Sequence, residues 1–181
     1  MIIAESTVDY TSNFERTFPT LTEMSKNAGC SPGKKIKQSL DRRVEKVIAQ
    51  PYKVIIGVDE AGRGPLCGPV VAAACLIPNH DDLVLHGIMD SKKLTDEKER
   101  DEIYECLISD SRVMWCTSIV SNHEIDSINI LQASLAAMKR ATIGLLEKYK
   151  ISDTSTFVAL IDGNKTPVEM PMASKCVIKV F

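Results

Sequence analysis

The sequence predicts an α/β fold, a mixed β-sheet flanked by helices. Three observations lead there. Short apolar runs rich in β-branched residues recur at 54–58, 70–77 and 156–161, with the length and composition of buried strands. The first two are separated by a Gly/Pro-rich stretch in which the chain can reverse. A long amphipathic stretch, 129–149, precedes the last run. A helical crossover of that length suits parallel pairing of the strand that follows it with the first strand.

The elements follow in order. The chain takes on an ordered character from Tyr52, with 54–58 as the first strand. The second, 70–77, closes at Pro78-Asn79. Thr95 starts a helix with Asp96 and Glu97 in its first turn, where negative charge meets the positive end of the helix dipole. Ile103 and Leu107, one turn apart, are its expected buried face. A third strand spans 112–120 around Trp115, and a brief helical turn 121–127. On the long helix, Leu131, Leu135, Met138, Thr142, Leu145 and Tyr149 form the expected inner stripe, which is core rather than a cofactor box. The fourth strand is 156–161, and 176–180 is a fifth.

Two domains of different character are expected. Residues 1–50 form a polar, then basic, N-terminal extension, partly disordered. Residues 51–181 are expected to form the folded domain. Between Lys26 and Lys46 seven Lys and Arg stand against Asp41 and Glu45. A short helix over 39–49 would put Leu40, Val44, Val47 and Ile48 on one face. The residues leave open whether 34–50 is a solvated arm or an electrostatic tether for nucleic acid. Glu5, Asp9 and Glu15 argue against a mitochondrial transit peptide.

Composition narrows the function classes. At 181 residues and 44% apolar the chain can bury one core, and no apolar run is long enough for a membrane span. The net charge of −2 is not that of a general nucleic-acid binder, although it is compatible with a nuclease whose basic residues are local. Six cysteines lack any C-x-x-C pair, and His80, His86 and His123 supply no zinc spacing. Reduced, mostly buried thiols in an intracellular protein are expected, with the cytoplasm as the compartment and the nucleus or an organelle open.

Gly57-Val58-Asp59-Glu60-Ala61-Gly62-Arg63-Gly64-Pro65 carries the chemistry. Two adjacent carboxylates stand at the end of an apolar strand, where an unpaired charge is costly to desolvate. Successive strand residues face opposite ways, so Asp59 and Glu60 share a site only if the strand ends between them. Gly62, Gly64 and Pro65 are expected to end it and let Glu60 swing round. The glycines also let backbone N–H groups approach a ligand, and Arg63 can hold a phosphate oxygen. Against this stands an ordinary hairpin with acids at its solvated end. At 156–161 a second apolar run stops at Asp162, followed by Gly163-Asn164. Taken alone, Asp162 reads as a turn residue. If the two strands are parallel neighbours, however, Asp59, Glu60 and Asp162 come together as an oxygen-only cluster for Mg²⁺ or Mn²⁺. Two such ions ~3.5–4 Å apart would form a phosphoryl-transfer device.

Val58 to Pro65, Gly68-Pro69-Val70-Val71-Ala72, Asp90-Ser91-Lys92-Lys93-Leu94, Asn129-Ile130-Leu131 with Ala136 and Met138, and Ile161-Asp162-Gly163-Asn164 stand in that order. Together they resemble bacterial-type ribonuclease HII over about residues 51–178. The resemblance implies a ribonuclease H-like fold. It also implies endonucleolytic cutting of the RNA strand of RNA–DNA hybrids, including single ribonucleotides embedded in DNA, by a monomer. Asp59, Glu60 and Asp162 match three of the family's four metal-binding carboxylates. Gly62, Arg63 and Gly64 match the loop that reads the ribonucleotide 2′-OH and the junction phosphate. Ser91, Lys92 and Lys93 resemble a second backbone-contacting segment, although a lysine pair ahead of a helix is often only a solvated surface. Family members continue past the counterpart of Val177-Ile178-Lys179 into a helical region with the fourth carboxylate and a junction tyrosine. Here Val180-Phe181 follows, so the C-terminal part of the family domain is expected to be missing. The alternatives to an active enzyme are an inactive truncated form that only binds hybrid nucleic acid, and a product that does not fold stably.

Overall fold

A computed structural model describes residues 43–65, 67–77 and 96–178. Helix α1 (Arg43–Ala49) leads into β1 (Val54–Ala61) and β2 (Val70–Leu76). Helix α2 (Glu97–Ser109), β3 (Met114–Val120), α3 (Asn122–Ile128) and α4 (Ile130–Lys148) follow, then β4 (Phe157–Asp162) and β5 (Ala173–Val177). The strands form one mixed sheet in the order β3-β2-β1-β4-β5. β1 and β2 pair antiparallel, as do β2 and β3, while β4 lies parallel to both β1 and β5. The long helical crossover thus places the fourth strand beside the first, as its length predicts, with Val54 opposite Phe157 and Val58 opposite Ile161.

Helix α4 covers one face of the sheet. Ile56, Val58, Val70 and Ile161 pack beneath it with Ala72, Ala74 and Ala159. The helix meets them with Ala133, Ala137, Ala141, Met138 and Leu145. Met138, Thr142 and Leu145 are buried as predicted, but Leu131, Leu135 and Tyr149 are only half-buried, and the centre of the interface is the alanine row. Small side chains let the helix lie close to the sheet and leave Leu131 and Leu135 at its flanks. Gly144 continues the close approach, since a Cβ there would lie 2.8 Å from Cys116 Sγ. Thr142 and Ser134 are buried at no hydrogen-bonding cost: their hydroxyls donate to the carbonyls of Met138 and Ile130, one turn back (both 2.9 Å).

Caps fix the ends of α4. Asn129 holds φ 71°, and its Oδ1 accepts from the N–H of Leu131 and of Gln132 (both 3.1 Å). Its own N–H closes α3 on Ile125 O at 2.8 Å, so one residue ends one helix and starts the next. At the far end Lys148 and Tyr149 cover the edge strand. Lys148 Nζ donates to Trp115 O (3.0 Å), and Trp115 N–H donates to the Tyr149 hydroxyl (3.3 Å). Those backbone groups are thereby withheld from edge pairing with another chain.

The opposite face carries a smaller cluster of Ala49, Ile55, Val158 and Leu160. Only 43–49 of the predicted helix 39–49 lies within the described residues. Ile48 and Ala49 face the cluster, whereas Val47, expected on the buried face, is 68% exposed. A remote lysine holds this helix. Lys175 Nζ on β5 donates to Ile48 O (2.8 Å) and Gln50 O (2.7 Å), carbonyls at the helix C-terminus.

Other boundaries and burials differ from expectation. β5 begins at Ala173, three residues before the predicted start. β3 begins at Met114 because Arg112 is held in the preceding turn by Asp110. Ile103 and Leu107 of α2 are half-buried, and no residue of that helix is buried. Nor are the described cysteines mostly buried: Cys67 and Cys106 are exposed, and Cys75, Cys116 and Cys176 are intermediate. Among the described residues no helix is long and apolar enough to cross a membrane.

Candidate metal and nucleic-acid site

The register of β1 and β4 builds the site. Val58 pairs with Ile161, so one residue further Asp59 and Asp162 stand side by side at the carboxyl ends of parallel strands. Adjacent strands lie ~4.8 Å apart. Asp59 alternates with Ile55, and Asp162 with Val158 and Leu160, so both aspartates belong to the α1 face of the sheet. Both residues are exposed. Asp59 Oδ1 accepts the Glu60 N–H at 2.7 Å. Behind Asp162 the chain turns at Gly163 (φ 120°), whose N–H donates to Val177 O at 3.1 Å. That bond ties the end of β4 to β5.

Glu60 departs from expectation. β1 does not stop before it but runs on to Ala61, pairing Asp59 with Ala73, Glu60 with Ala72 and Ala61 with Val71. Pairing to β2 keeps the backbone extended through both acids, so strand alternation sends Glu60 to the α4 face with Ile56 and Val58. Its side chain is only 12% exposed and meets Arg63 Nη1 at 3.5 Å. Burial pushes its carboxyl above the ordinary value and the Asp59 charge adds to the rise, with Arg63 opposing both. Asp59 and Asp162 are thus brought together, while Glu60 is held by Arg63. Among the described residues no set of three or more His, Cys, Asp or Glu side chains converges to hold an ion.

The loop between β1 and β2 assigns its glycines different duties. Gly62 has φ 95°, and a Cβ there would overlap the Pro69 carbonyl oxygen. The fold itself therefore demands glycine at that position. Gly64 has no left-handed φ and would meet nothing within 4 Å; it is exposed and open to a ligand. Arg63 between them is half-exposed. Ser91, Lys92 and Lys93 lie outside the described residues. Sequence reasoning missed the Glu60–Arg63 pair and the Gly163–Val177 bond. The three-residue spacing of the first was a signal; the second joins segments with no local relation.

The sequence matches the family described as Ribonuclease HII over residues 56–181. The chain belongs to the ribonuclease HII family. It is 41% identical over 140 residues to the Ribonuclease HII of Ehrlichia chaffeensis, covering 77% of this chain and 62% of that relative. It is 48% identical over 131 residues to that of Aliivibrio salmonicida, covering 72% and 57%. The chain thus spans less than two thirds of the length of these curated relatives. Among solved structures, a mutant Bst-RNase HIII superposes with a TM-score of 0.56 at 18% identity, covering 72% of this chain and 47% of that one. Bst-RNase HIII in complex with Mn²⁺ gives 0.53 over the same shares, also at 18%. At that identity the likeness is one of fold: the mixed sheet flanked by helices is that of RNase H-type proteins.

Proposed function

We propose that the chain hydrolyses the RNA strand of RNA–DNA hybrids, including single ribonucleotides within DNA, leaving 3′-hydroxyl and 5′-phosphate ends. The in-register pair Asp59–Asp162, beside the Gly62-Arg63-Gly64 loop and inside the family match, carries this reading. The donors suit a hard cation. Mg²⁺ and Mn²⁺ favour carboxylate oxygen, and Mg²⁺ is commonly held by one or two carboxylates completed by substrate phosphate and water. The Mn²⁺ complex of the RNase HIII relative is compatible with either ion. Asp59 and Asp162 would hold the ion, and Glu60 would join them only where the end of β1 unpairs from β2. Held there, such an ion would supply a lowered pKa to the attacking water and would offset charge on the leaving 3′ oxygen.

The chain's own residues supply binding and orientation. Three carboxylates against one guanidinium would repel a polyanion, so the site favours phosphate only when a cation intervenes. Arg63 grips a phosphate oxygen, and the open backbone at Gly64 approaches the sugar, where the 2′-OH separates RNA from DNA. Ser91, Lys92 and Lys93 are proposed to grip the flanking backbone. The second reading, binding without cutting by an intracellular hybrid-binding form, is favoured by the absence of three converging carboxylates among the described residues.

Cleavage of a labelled duplex carrying one ribonucleotide, with Mg²⁺ or Mn²⁺, tests the proposal. Cutting at the ribonucleotide is expected, with a loss of at least about 10²-fold in Asp59→Asn at unchanged circular dichroism. Binding without cutting would select the second reading. Equal cutting by the variant would remove Asp59 from the site.

A further inference from the structure

The loop between β4 and β5, residues 163–172, carries two charged side chains, Lys165 and Glu169. The fold treats them differently. Glu169 is drawn to α4, where its carboxylate accepts from Lys139 Nζ at 3.2 Å. Lys165 is exposed, and its side chain makes no ion pair or hydrogen bond among the described residues. By contrast Arg63 is engaged by Glu60, Lys148 by Trp115 O, and Lys175 by the carbonyls of Ile48 and Gln50. A solvated lysine alone points to no ligand, but the position of this one does. It stands three residues beyond Asp162, so the two Cα atoms lie within ~11 Å of each other. The backbone that carries it is held. Gly163 N–H donates to Val177 O, Pro167 is buried, Met170 packs against the main core, and Pro171 O accepts from the Thr154 hydroxyl at 2.9 Å. Lys165 is thus presented beside the aspartates from a fixed loop whose one acid is tied elsewhere.

The sheet order sets it across from Arg63. Arg63 follows Asp59 in the loop toward β2, and Lys165 follows Asp162 in the loop toward β5. In the order β2-β1-β4-β5 the loops carrying the two cations therefore lie on either side of the acid pair. We propose that Lys165 is a second phosphate ligand of the site, and that the strand to be cut crosses the carboxyl edge of the sheet from the β1–β2 loop to the β4–β5 loop. This rests on the ribonuclease reading of the site and adds the path of its substrate strand. Phosphates held on both sides of the aspartates offset part of their repulsion and fix the register of the strand. An ammonium on a flexible stem suits the task, because it takes a phosphate as a point charge and demands no single geometry. At 3.4 Å of axial rise per nucleotide, ~11 Å corresponds to about three nucleotides, so the phosphate concerned lies within a few positions of the scissile one.

The test is fluorescence anisotropy of the full chain with a labelled duplex carrying one ribonucleotide. Ca²⁺ replaces Mg²⁺, and a denaturing gel checks that the strands stay intact. Wild type is compared with Lys165→Gln, Lys165→Arg and Arg63→Gln over a salt series. The comparison is repeated on duplexes with a single neutral methylphosphonate at successive positions on either side of the ribonucleotide. Lys165→Gln is expected to weaken binding about threefold, the factor of a partly exposed ion pair. It should also reduce the salt slope by about one, with recovery of both in Lys165→Arg. Its loss is expected to vanish on duplexes neutralised at one or two phosphates on one side of the ribonucleotide, and that of Arg63→Gln on the other side. An equal loss on every duplex would reduce Lys165 to a general positive charge and overturn the assignment. Sensitivity of both variants to the same phosphates would overturn the strand path. Wild-type affinity and salt slope in Lys165→Gln would overturn the assignment and leave the ribonuclease reading standing. A wild-type chain that does not bind the duplex would overturn that reading, and Lys165 as its ligand with it.

Discussion

At the scale of single residues, Gly62 and Gly64 look alike in the sequence and differ in the fold. Gly62 carries a left-handed φ against the Pro69 carbonyl, while Gly64 faces open space. Gly62→Ala is expected to cost about 1–3 kcal/mol in denaturant unfolding, through strain and overlap. Gly64→Ala should stay within about 0.5 kcal/mol of wild type yet weaken hybrid binding in fluorescence anisotropy, because its methyl group stands where the sugar–phosphate chain would approach. Wild-type affinity in Gly64→Ala would show that the ligand does not pass there. Glu60 adds a lesson about adjacency. Neighbouring acids in a sequence are not neighbouring ligands while the strand that carries them remains paired.

At the scale of elements, β4 carries Asp162 and is held on both sides. β1 sets its register, and β5 receives the Gly163 N–H. The same strand β5 secures α1 through Lys175, whose ammonium meets the carbonyls of Ile48 and Gln50. Lys175→Met keeps most of the apolar stem and removes the two bonds. It is expected to lower stability by about 1–2 kcal/mol. Amide hydrogen exchange should accelerate across α1 and leave α4 protected, since α4 rests on a separate core. Uniform acceleration in both helices would mean that α1 is not a separately opening unit.

At the scale of the whole molecule, the pH dependence of stability has two opposing parts. Hydrogen bonds from Arg112 lower Asp110, those from Arg140 lower Glu124, and the Ser155 N–H lowers Asp153. Their stabilisation is present above the ordinary carboxylate values and is lost as pH falls through the lowered ones. Glu60 has the opposite sign. Its carboxyl is raised by burial and by Asp59, so its contribution is full below the ordinary value and is lost as pH rises through the raised one. Glu60→Gln should therefore melt above wild type at neutral pH, and the gap should close on acidification below the carboxylate range. A gap constant with pH would show that ionisation of Glu60 carries no stability cost. The site thus opposes the fold around it near neutrality, a common consequence of gathering like charges for a ligand.

By itself the sequence determined the element order and favoured the parallel pairing of 54–58 with 156–161, on which the alignment of Asp59 with Asp162 depended. Each follows from local signals: apolar runs of strand length, a crossover helix long enough to return the chain, and an acid at the end of each run. Tertiary structure decided which side chains those elements present. Ala133, Ala137 and Ala141 are fully buried beside Met138 and Leu145, while Leu131 and Leu135 stay at the flanks, because close helix–sheet packing selects small volume, which apolar periodicity does not weigh. Glu60 faces Arg63 rather than Asp59 because β2 pairs with β1 through Ala61, and that pairing depends on residues ten or more positions away. Lys175 reaches α1 across 125 and 127 residues of sequence. Register and alternation act within a segment and can be read there, whereas pairing between distant segments sets the facing partners and exists only once the chain has folded.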